Sequence, residues 1–314
     1  SAGSAAAVAG GLLSLATGGD GGGSIRIPAG FCGLLGMKGT AGRIPRGPKT
    51  VIGPLTVVLG CLARSVRDVA RYYDAVSGHD SRDPYSLPPV TGWEQGVGTH
   101  DLRGKRAVIA PDLGNAVVRD EVADLVHRAG RALASEAGLE LVDAPVKLPG
   151  VGLEWAMANL ATLLDELGDR WPECAPQLTT EIAFGLRVAT DTFNLQMAAQ
   201  VERARRDANE AMAAAFDRVD FVICSTNPDV AFGAEVTLST EVGGKSVGPD
   251  NAGALTIPAN ISGNPAVSIP AGTVDGLPVG LQVIGRHHED ALLLDLARVA
   301  EQAMPWALVA PGAV

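Results

Sequence analysis

Two segments of the chain repeat apolar residues at the three-to-four residue spacing of an amphipathic helix. In residues 65–76 this face is made of Val66, Val69, Ala70 and Tyr73. Ser65 is suited to cap the first turn and Gly78 to end the helix, because a serine oxygen accepts early N–H groups and glycine breaks helices. Residues 119–137 repeat the pattern with Val122, Leu125, Val126, Ala129 and Leu133. We therefore predict two helices at these positions.

Four short apolar runs are typical of buried strands. They cover residues 106–110, 219–224, 266–269 and 279–284. Each run is short and almost continuously apolar, as strands covered on both faces are. Helices that alternate with such strands predict a layered α/β domain.

Two longer segments depart from this alternation. Residues 79–104 are rich in proline, glycine and polar residues, which predicts a surface loop. Residues 151–218 have a mostly helical pattern, and we expect them to form a helical subdomain or cap over the sheet.

Composition and charge exclude several classes of protein. The chain has 314 residues, of which 46% are hydrophobic and 19% charged, so it falls in the globular range rather than the disordered one. Its net charge is −10, without runs of Lys or Arg. Nucleic acids and anionic membranes both require clustered positive charge. We therefore expect neither direct nucleic-acid binding nor membrane attachment.

Neither a metal nor a cofactor is predicted. The cysteines, Cys32, Cys61, Cys174 and Cys224, form no CxxC pair, so the sequence lacks zinc-ribbon and thioredoxin-type sites and we expect a reducing, cytoplasmic location. His287 and His288 precede an apolar helical run, in which Glu289 and Asp290 are suited to the first turn. Residues 243–246, GGKS, resemble the end of a phosphate loop, but Ser239 occupies the position of its first glycine. An ordinary turn is predicted there.

The segment most suggestive of chemistry is a glycine-rich loop at residues 17–28, TGGDGGGSIRIP. Three consecutive glycines can turn several backbone N–H groups toward one point, which suits an oxyanion. Ser24 follows them directly, where a nucleophile would lie beside its own oxyanion hole. The alternative interpretation is a tight turn in which Ser24 caps the next helix.

The residues around this loop resemble the amidase signature family. The chain begins SAGSAAAVAGGLLSLATGGDGGGSIRIP and continues AGFCGLLGMKGTAGRIPRGP. Further similarity lies in residues 60–66, 80–84, 257–260, 264–266 and 276–282, so that the resemblance extends from residue 1 to about residue 285. It implies a layered α/β/α amidase-signature fold with a central mixed sheet. It also implies an amidase that needs no cofactor and cleaves carboxamide C–N bonds through an acyl-serine intermediate.

The resemblance assigns roles to particular residues. Ser24 is the implied nucleophile, and the N–H groups of Gly21, Gly22 and Gly23 form the implied oxyanion hole. Asp20 and Arg26 match positions that support this loop. Lys38 matches no catalytic position, and we nominate no lysine as the base.

Ser1 is the remaining candidate catalytic residue. Without a gap in the alignment, it falls on the second serine of a pair whose first member relays the proton in the family. That relay serine would lie one residue before Ser1, and the base lysine farther upstream. We therefore expect an N-terminally truncated amidase domain over residues 1–314, whose missing segment is cleaved or supplied separately, rather than an inactive remnant.

The resemblance is compatible with more than one function and with more than one kind of partner. The principal interpretation is an amidase acting on a small-molecule amide and releasing ammonia or an amine. The alternatives are a catalytically inactive interaction module and a glutamyl-tRNA amidotransferase A-like subunit. The expected partners are the missing N-terminal segment or further copies of the chain. Trp155 and Trp171, in the helical segment, are expected to pack in a core.

Overall fold

The computed structural model describes residues 1–47 and 56–312, which fold around an eight-stranded sheet. The strands of this part of the chain are β1 Leu15–Asp20, β2 Leu35–Lys38, β3 Val58–Ala63, β4 Arg106–Ile109, β5 Glu140–Leu141, β6 Phe221–Ser225, β7 Glu241–Val242, β8 Lys245–Ser246, β9 Ala266–Val274 and β10 Leu277–Gly285. The helices are α1 Ala2–Ala9, α2 Arg26–Cys32, α3 Val66–Val76, α4 Trp93–Gly96, α5 Asp120–Ala137, α6 Gly152–Leu167, α7 Thr180–Thr192, α8 Leu195–Phe216, α9 Ile257–Ile261 and α10 Asp290–Ala303. Short 3₁₀ turns cover Gly168–Arg170, Ala175–Gln177 and Pro249–Gly253.

The large sheet is mixed. Its order is β1-β3-β2-β9-β10-β6-β4-β5. Neighbours from β1 to β6 in this order are antiparallel, whereas β4 is parallel to both β6 and β5. The predicted mixed sheet is therefore present, and strands β7 and β8 form a separate hairpin.

Helices cover both faces of the sheet. Cys61 and Leu62 are adjacent in β3 and so point to opposite faces. Cys61 belongs to the main apolar core, beneath α3, α5 and α10. Leu62 belongs to a smaller core with residues of α1 and α2, such as Val8 and Ala29. This arrangement is the expected α/β/α layering.

Most of the elements predicted from periodicity are observed. Helix α3 begins after Ser65, whose hydroxyl oxygen accepts the N–H of Asp68 as an N-cap does. Helix α5 ends at Gly138, which has left-handed backbone angles. Strands β4, β6, β9 and β10 overlap the four predicted runs.

One local prediction needs correction, and the structure adds a role to a second. The segment 79–104 contains α4 and sends the buried side chains of Trp93 and Leu102 into the main core, so it is more than a surface loop. Asp290 does lie in the first turn of α10, but it is fully buried and accepts the backbone N–H and the hydroxyl of Thr40. Its role is to fasten α10 to the chain after β2.

The helical segment lies next to the end of β1. Helices α6, α7 and α8 pack against one another, partly through Met157, Ala189 and Val201. A second apolar cluster joins Val151 and Ala208 to Ile257 of α9, with Trp155 beside them. This cluster connects the helices to the glycine-rich loop. The described helices include none with the length and apolar character to cross a membrane.

Candidate active site

The glycine-rich loop connects β1 to α2. Strand β1 ends at Asp20, and α2 begins at Arg26 with Ile25 at its N-cap position. Ser24 therefore does not cap the helix. Its side chain is exposed, and its hydroxyl has no hydrogen-bond partner among the residues that the structure describes. The serine predicted as nucleophile is thus accessible and available.

A buried ion pair holds the two ends of this loop together. Nε of Arg26 donates to Oδ2 of Asp20 at 2.9 Å, and Nη2 donates to Oδ1 at 2.8 Å. Both side chains are 0% exposed. Such a two-pronged contact fixes orientation as well as distance. The pair predicted to support the loop is therefore in contact and inside the protein, not at its surface.

Arg26 is also tied to three residues of two distant segments. Nη1 donates to the carbonyl oxygen of Thr256 and to Oε1 of Gln282, and Nη2 donates to Oδ1 of Asn260. With the two bonds to Asp20, these bonds match the five N–H groups of a guanidinium. A buried arginine is tolerated only when it is paired and hydrogen-bonded in this way.

The carboxylate of Asp20 is equally well satisfied. It accepts the backbone N–H groups of Gly23, Ile25 and Arg26 and the side-chain amide of Asn260. Burial by itself raises the pKa of Asp20, but the charge and hydrogen bonds of Arg26 outweigh it, with help from Lys38 and Asn260, and hold this pKa well below its usual value. Asp20 is therefore a structural anion and not a proton carrier.

Two hydrogen bonds orient the peptide groups of the loop. Nε1 of Trp155 donates to the carbonyl oxygen of Gly21 at 2.7 Å, and Oγ1 of Thr256 donates to that of Gly22 at 2.6 Å. In a trans peptide the carbonyl and the following N–H point in opposite directions. The bond from Trp155 therefore aims the N–H of Gly22 away from the indole, and the bond from Thr256 aims that of Gly23 toward Asp20.

The loop N–H groups divide into two sets. The N–H of Gly23, which the sequence placed in the oxyanion hole, instead donates to Oδ1 of Asp20 at 2.7 Å. The N–H groups of Gly21, Gly22 and Ser24 have no acceptor within the described ranges. These three donors beside an exposed hydroxyl are the groups that could stabilise an oxyanion.

Close packing explains why glycine occupies the loop. A Cβ atom on Gly22 would lie 2.6 Å from Cζ2 of Trp155. Gly23 has a φ of +124°, which other residues rarely adopt, and a Cβ there would lie 2.7 Å from Cδ1 of Ile27. Side chains at either position would displace the groups that orient the loop.

Ser1 lies beside β1. Its hydroxyl oxygen is 2.8 Å from the place where a Cβ of Gly18 would stand, and Cγ1 of Ile25 is equally close to that place. Among the described residues no hydrogen bond joins Ser1 to Ser24. Its assignment to catalysis stays a prediction.

Lys38 is the one lysine of the described chain that is fully buried. Burial and the charge of Arg26 lower the pKa of Lys38 to about 7, although Asp20 and Asp290 oppose this shift. Nζ of Lys38 donates to the carbonyl oxygens of Asn264 and Gly39. It is therefore committed to the backbone and is not placed as the base of Ser24.

Four residues of the site were not predicted from the sequence. Trp155 packs against an apolar cluster as expected, but its indole also contacts the glycine loop, which the sequence did not indicate. Thr256 lies just before the 257–260 motif, while Asn260 and Gln282 lie within motifs that carry the resemblance. The last two are polar residues that interrupt apolar surroundings, which is the one signal that could have pointed to them.

The other sequence motifs lie in parts of the fold other than the glycine loop. The GGKS segment forms the β7–β8 hairpin, with Gly243 and Gly244 at positive φ, so it is an ordinary turn. Ser246, between Gly244 and Gly248, has the spacing of a nucleophile elbow but lies exposed in β8, not between a strand and a helix. All four cysteines are unpaired. In the described ranges no three His, Cys, Asp or Glu side chains converge as metal ligands would.

The family model described as Amidase matches residues 1–294, and the chain belongs to this family. The A-type subunit of the glutamyl-tRNA(Gln) amidotransferase of Methanospirillum hungatei is 31% identical over 338 residues, covering 96% of this chain and 73% of that protein. The corresponding subunit of Rubrobacter xylanophilus is 34% identical over 332 residues, covering 96% and 67%.

A solved structure confirms the fold. A bacterial aryl acylamidase of the amidase signature family superposes with a TM-score of 0.84 at 28% identity, covering 97% of this chain and 65% of that one. The expected amidase-signature fold is thus confirmed. The chain spans about two thirds of the length of these relatives.

Proposed function

We propose that the protein hydrolyses carboxamides through an acyl intermediate on Ser24 and releases ammonia or an amine. The observation that carries the proposal is the glycine loop itself. The buried Asp20–Arg26 pair holds it so that three N–H groups without an acceptor among the described residues lie beside an exposed serine. Amide cleavage needs a nucleophile and donors for the oxygen that becomes negative, and this loop offers both.

The proposed reaction has two stages. Oγ of Ser24 bonds to the amide carbon, and the N–H groups of Gly21, Gly22 and Ser24 stabilise the resulting oxyanion. The C–N bond then breaks, and the nitrogen takes the proton that the hydroxyl of Ser24 gave up and leaves as ammonia or an amine. Water attacks the acyl ester, which frees the acid and restores the hydroxyl of Ser24.

Proton transfer completes the proposal. Ser1 is proposed to stand next to the serine that relays the proton of Ser24, as the family resemblance implies. Lys38 is not proposed for this step, because its Nζ is bonded to backbone carbonyls. Residues 151–218 are proposed to form a helical subdomain that contributes Trp155 to the loop.

A second candidate is the A-like subunit of an amidotransferase. It is favoured by the relatives of M. hungatei and R. xylanophilus, both named as the A-type subunit of such an enzyme. It would use the same serine chemistry but deliver the ammonia within a complex of partner proteins. Hydrolysis of simple amides without any partner protein distinguishes the first candidate from the second.

The test combines labelling of Ser24 with turnover. The protein is treated with a fluorophosphonate, its intact mass is measured and the labelled peptide is sequenced, while ammonia release from simple carboxamides is followed separately. We expect an adduct on Ser24, and neither adduct nor turnover in Ser24→Ala. This variant should fold normally, since the side chain is exposed and has no hydrogen-bond partner in the described part of the chain.

Ser246→Ala is the matched control, because Ser246 is also exposed but lies in the β7–β8 hairpin. It should be labelled and active like the original protein. If the protein neither reacts with the fluorophosphonate nor releases ammonia even when the segment expected upstream of Ser1 is supplied, the proposal is refuted and the non-catalytic interaction module is favoured. An adduct on a different serine would refute the assignment of Ser24.

A further inference from the structure

A cavity of about 120 Å³ lies along α2, the helix that follows the glycine loop. Two of its walls come from α2 and from the chain after β6, and a third comes from the hairpin region. The apolar side chains that define it are Ile27, Phe31, Phe232, Leu238, Val242 and Val247. Phe31 and Phe232 meet edge to face, with ring centroids 5.9 Å apart, which is a favourable arrangement for aromatic rings.

Ile27 connects the cavity to the proposed catalytic loop. Its Cδ1 atom packs 2.7 Å from the place where a Cβ of Gly23 would stand, and its side chain also lines the cavity. Ile27 and Phe31 follow Ser24 by three and seven residues. Ser24 itself precedes α2, but Ile27 and Phe31 are four residues apart within this helix and so lie along one of its faces. The cavity therefore lies along α2, close to the end of the helix that follows Ser24.

The polar side chains of the cavity wall are already engaged. The carboxylate of Asp229 accepts the N–H groups of Val230 and Gly243 and pairs with Arg119. Oγ of Ser239 donates to the carbonyl oxygen of Glu241. These groups are therefore not offered to a ligand.

Asn251 completes this set. Its side-chain oxygen accepts the N–H of Val117, and its amide donates to the carbonyl oxygen of the same residue. The interior thus presents an apolar surface. A ligand with its own charged groups would lose their hydration there without gaining a partner.

We propose that this cavity holds the acyl part of the substrate and that the preferred amides carry an uncharged, apolar acyl group of about phenyl size. This inference rests on the proposed function, because it names the substrate class of the same site. An apolar cavity of roughly 150 Å³ accommodates benzene, so a cavity of about 120 Å³ suits a compact ring or a short aliphatic chain. Glutamine, which carries both an ammonium and a carboxylate, does not suit it.

The first experiment compares three amides as substrates. Phenylacetamide, acetamide and L-glutamine differ in the apolar size and the charge of the acyl part, and each releases ammonia. We expect kcat/KM for phenylacetamide to exceed those for the other two by at least about tenfold, the usual gain from filling an apolar pocket. Hydrolysis that favours glutamine or acetamide would overturn the inference while leaving the proposed function intact.

The second experiment measures binding without turnover. Isothermal titration of phenylacetamide into Ser24→Ala protein is compared with titrations into the same protein carrying Leu238→Asp or Leu277→Asp. Leu238 and Leu277 have similar exposure, 44% and 40%, but Leu277 begins β10 and does not line the cavity. We expect Leu238→Asp to weaken binding at least about tenfold and Leu277→Asp to leave it unchanged.

Together the two experiments distinguish a failure of the proposed amide hydrolysis from a failure of the proposed apolar acyl site. Binding that Leu238→Asp weakens, together with no hydrolysis by the unaltered protein, would refute the proposed function and support the cavity as an apolar site. No detectable binding of phenylacetamide, or binding that neither substitution changes, would overturn the inference. Equal circular dichroism spectra and melting temperatures of the two leucine variants ensure that folding does not explain a difference.

Discussion

The indole Nε1 of Trp155 donates a hydrogen bond to the carbonyl oxygen of Gly21 across 2.7 Å, although 134 residues separate them in the chain. This bond joins the helical segment to the glycine loop. Because it fixes the peptide between Gly21 and Gly22, it also determines where the N–H of Gly22 points. Trp155 is thus a positioning residue for one of the proposed oxyanion donors.

Trp155→Phe should lower turnover without changing the fold. Phenylalanine retains the aromatic contact but lacks the N–H donor, so the Gly21–Gly22 peptide loses its restraint. A neutral hydrogen bond contributes about 1 kcal/mol, and we expect kcat to fall by about fivefold with KM little changed. Steady-state kinetics measure this split. Trp171→Phe, in the same helical segment but without a bond to the loop, should retain full activity.

Gly22→Ala should disturb the same contact from the other side. Its Cβ would lie 2.6 Å from Cζ2 of Trp155, so the indole must move and its bond to Gly21 must break. We expect a larger loss of kcat than in Trp155→Phe. In the double variant the loss of kcat, expressed as a free energy, should be smaller than the sum of the losses in the two single variants, since both substitutions act through one contact.

Gly19→Ala is the control for this experiment. A Cβ on Gly19, in β1, would have 3.9 Å to its nearest neighbour, Cγ1 of Val57. Its activity should therefore be close to that of the unaltered protein. Fully additive effects of Gly22→Ala and Trp155→Phe would show that the two residues act independently.

Asp20→Asn should destabilise the fold strongly. The substitution leaves the Arg26 guanidinium buried without its anion, and breaking a buried ion pair from one side costs roughly 3–5 kcal/mol. Urea unfolding measures the change. Asp101→Asn is the control, because Asp101 pairs with Arg103 at the surface and exposed pairs contribute at most about 1 kcal/mol. Similar losses in both variants would contradict the structural role of Asp20.

Lys38 should make stability depend on pH. In the unfolded chain its ordinary pKa is 10.5, whereas in the folded protein it falls to about 7, mainly through burial. Between these values the unfolded state binds more protons, so this group favours folding increasingly as the pH rises. Lys38→Met removes the titration. Its free energy of unfolding relative to the unaltered protein should fall by about 1.4 kcal/mol for each pH unit between pH 7 and 10.

Urea unfolding at pH 6.5, 8 and 9.5 tests this slope. Lys245→Met serves as the control, because Lys245 is exposed in the β7–β8 hairpin. Its difference from the unaltered protein should stay constant over the same range. An equally constant difference for Lys38→Met would show that the folded protein holds Lys38 at an ordinary pKa.

Local pattern in the sequence was enough for two of the helices, for four strands of the large sheet and for the residues of the glycine loop. The apolar spacing predicted α3 and α5, and Ser65 caps the start of α3 as expected. The glycine loop and its serine were visible for the same reason, since Asp20, Ser24 and Arg26 are within six residues of one another. Interactions over such short separations depend mainly on the residues between them.

The tertiary structure decided how this loop is held and which of its groups are available. Trp155, Thr256 and Asn260 reach it from 134 to 240 residues away, and the N–H of Gly23 turns to Asp20 instead of the oxyanion hole. Such contacts depend on the order of the strands and on which faces the helices cover. The spacing of residues along the chain specifies neither the strand order nor the covered faces, because residues distant in sequence become neighbours only when the whole core packs.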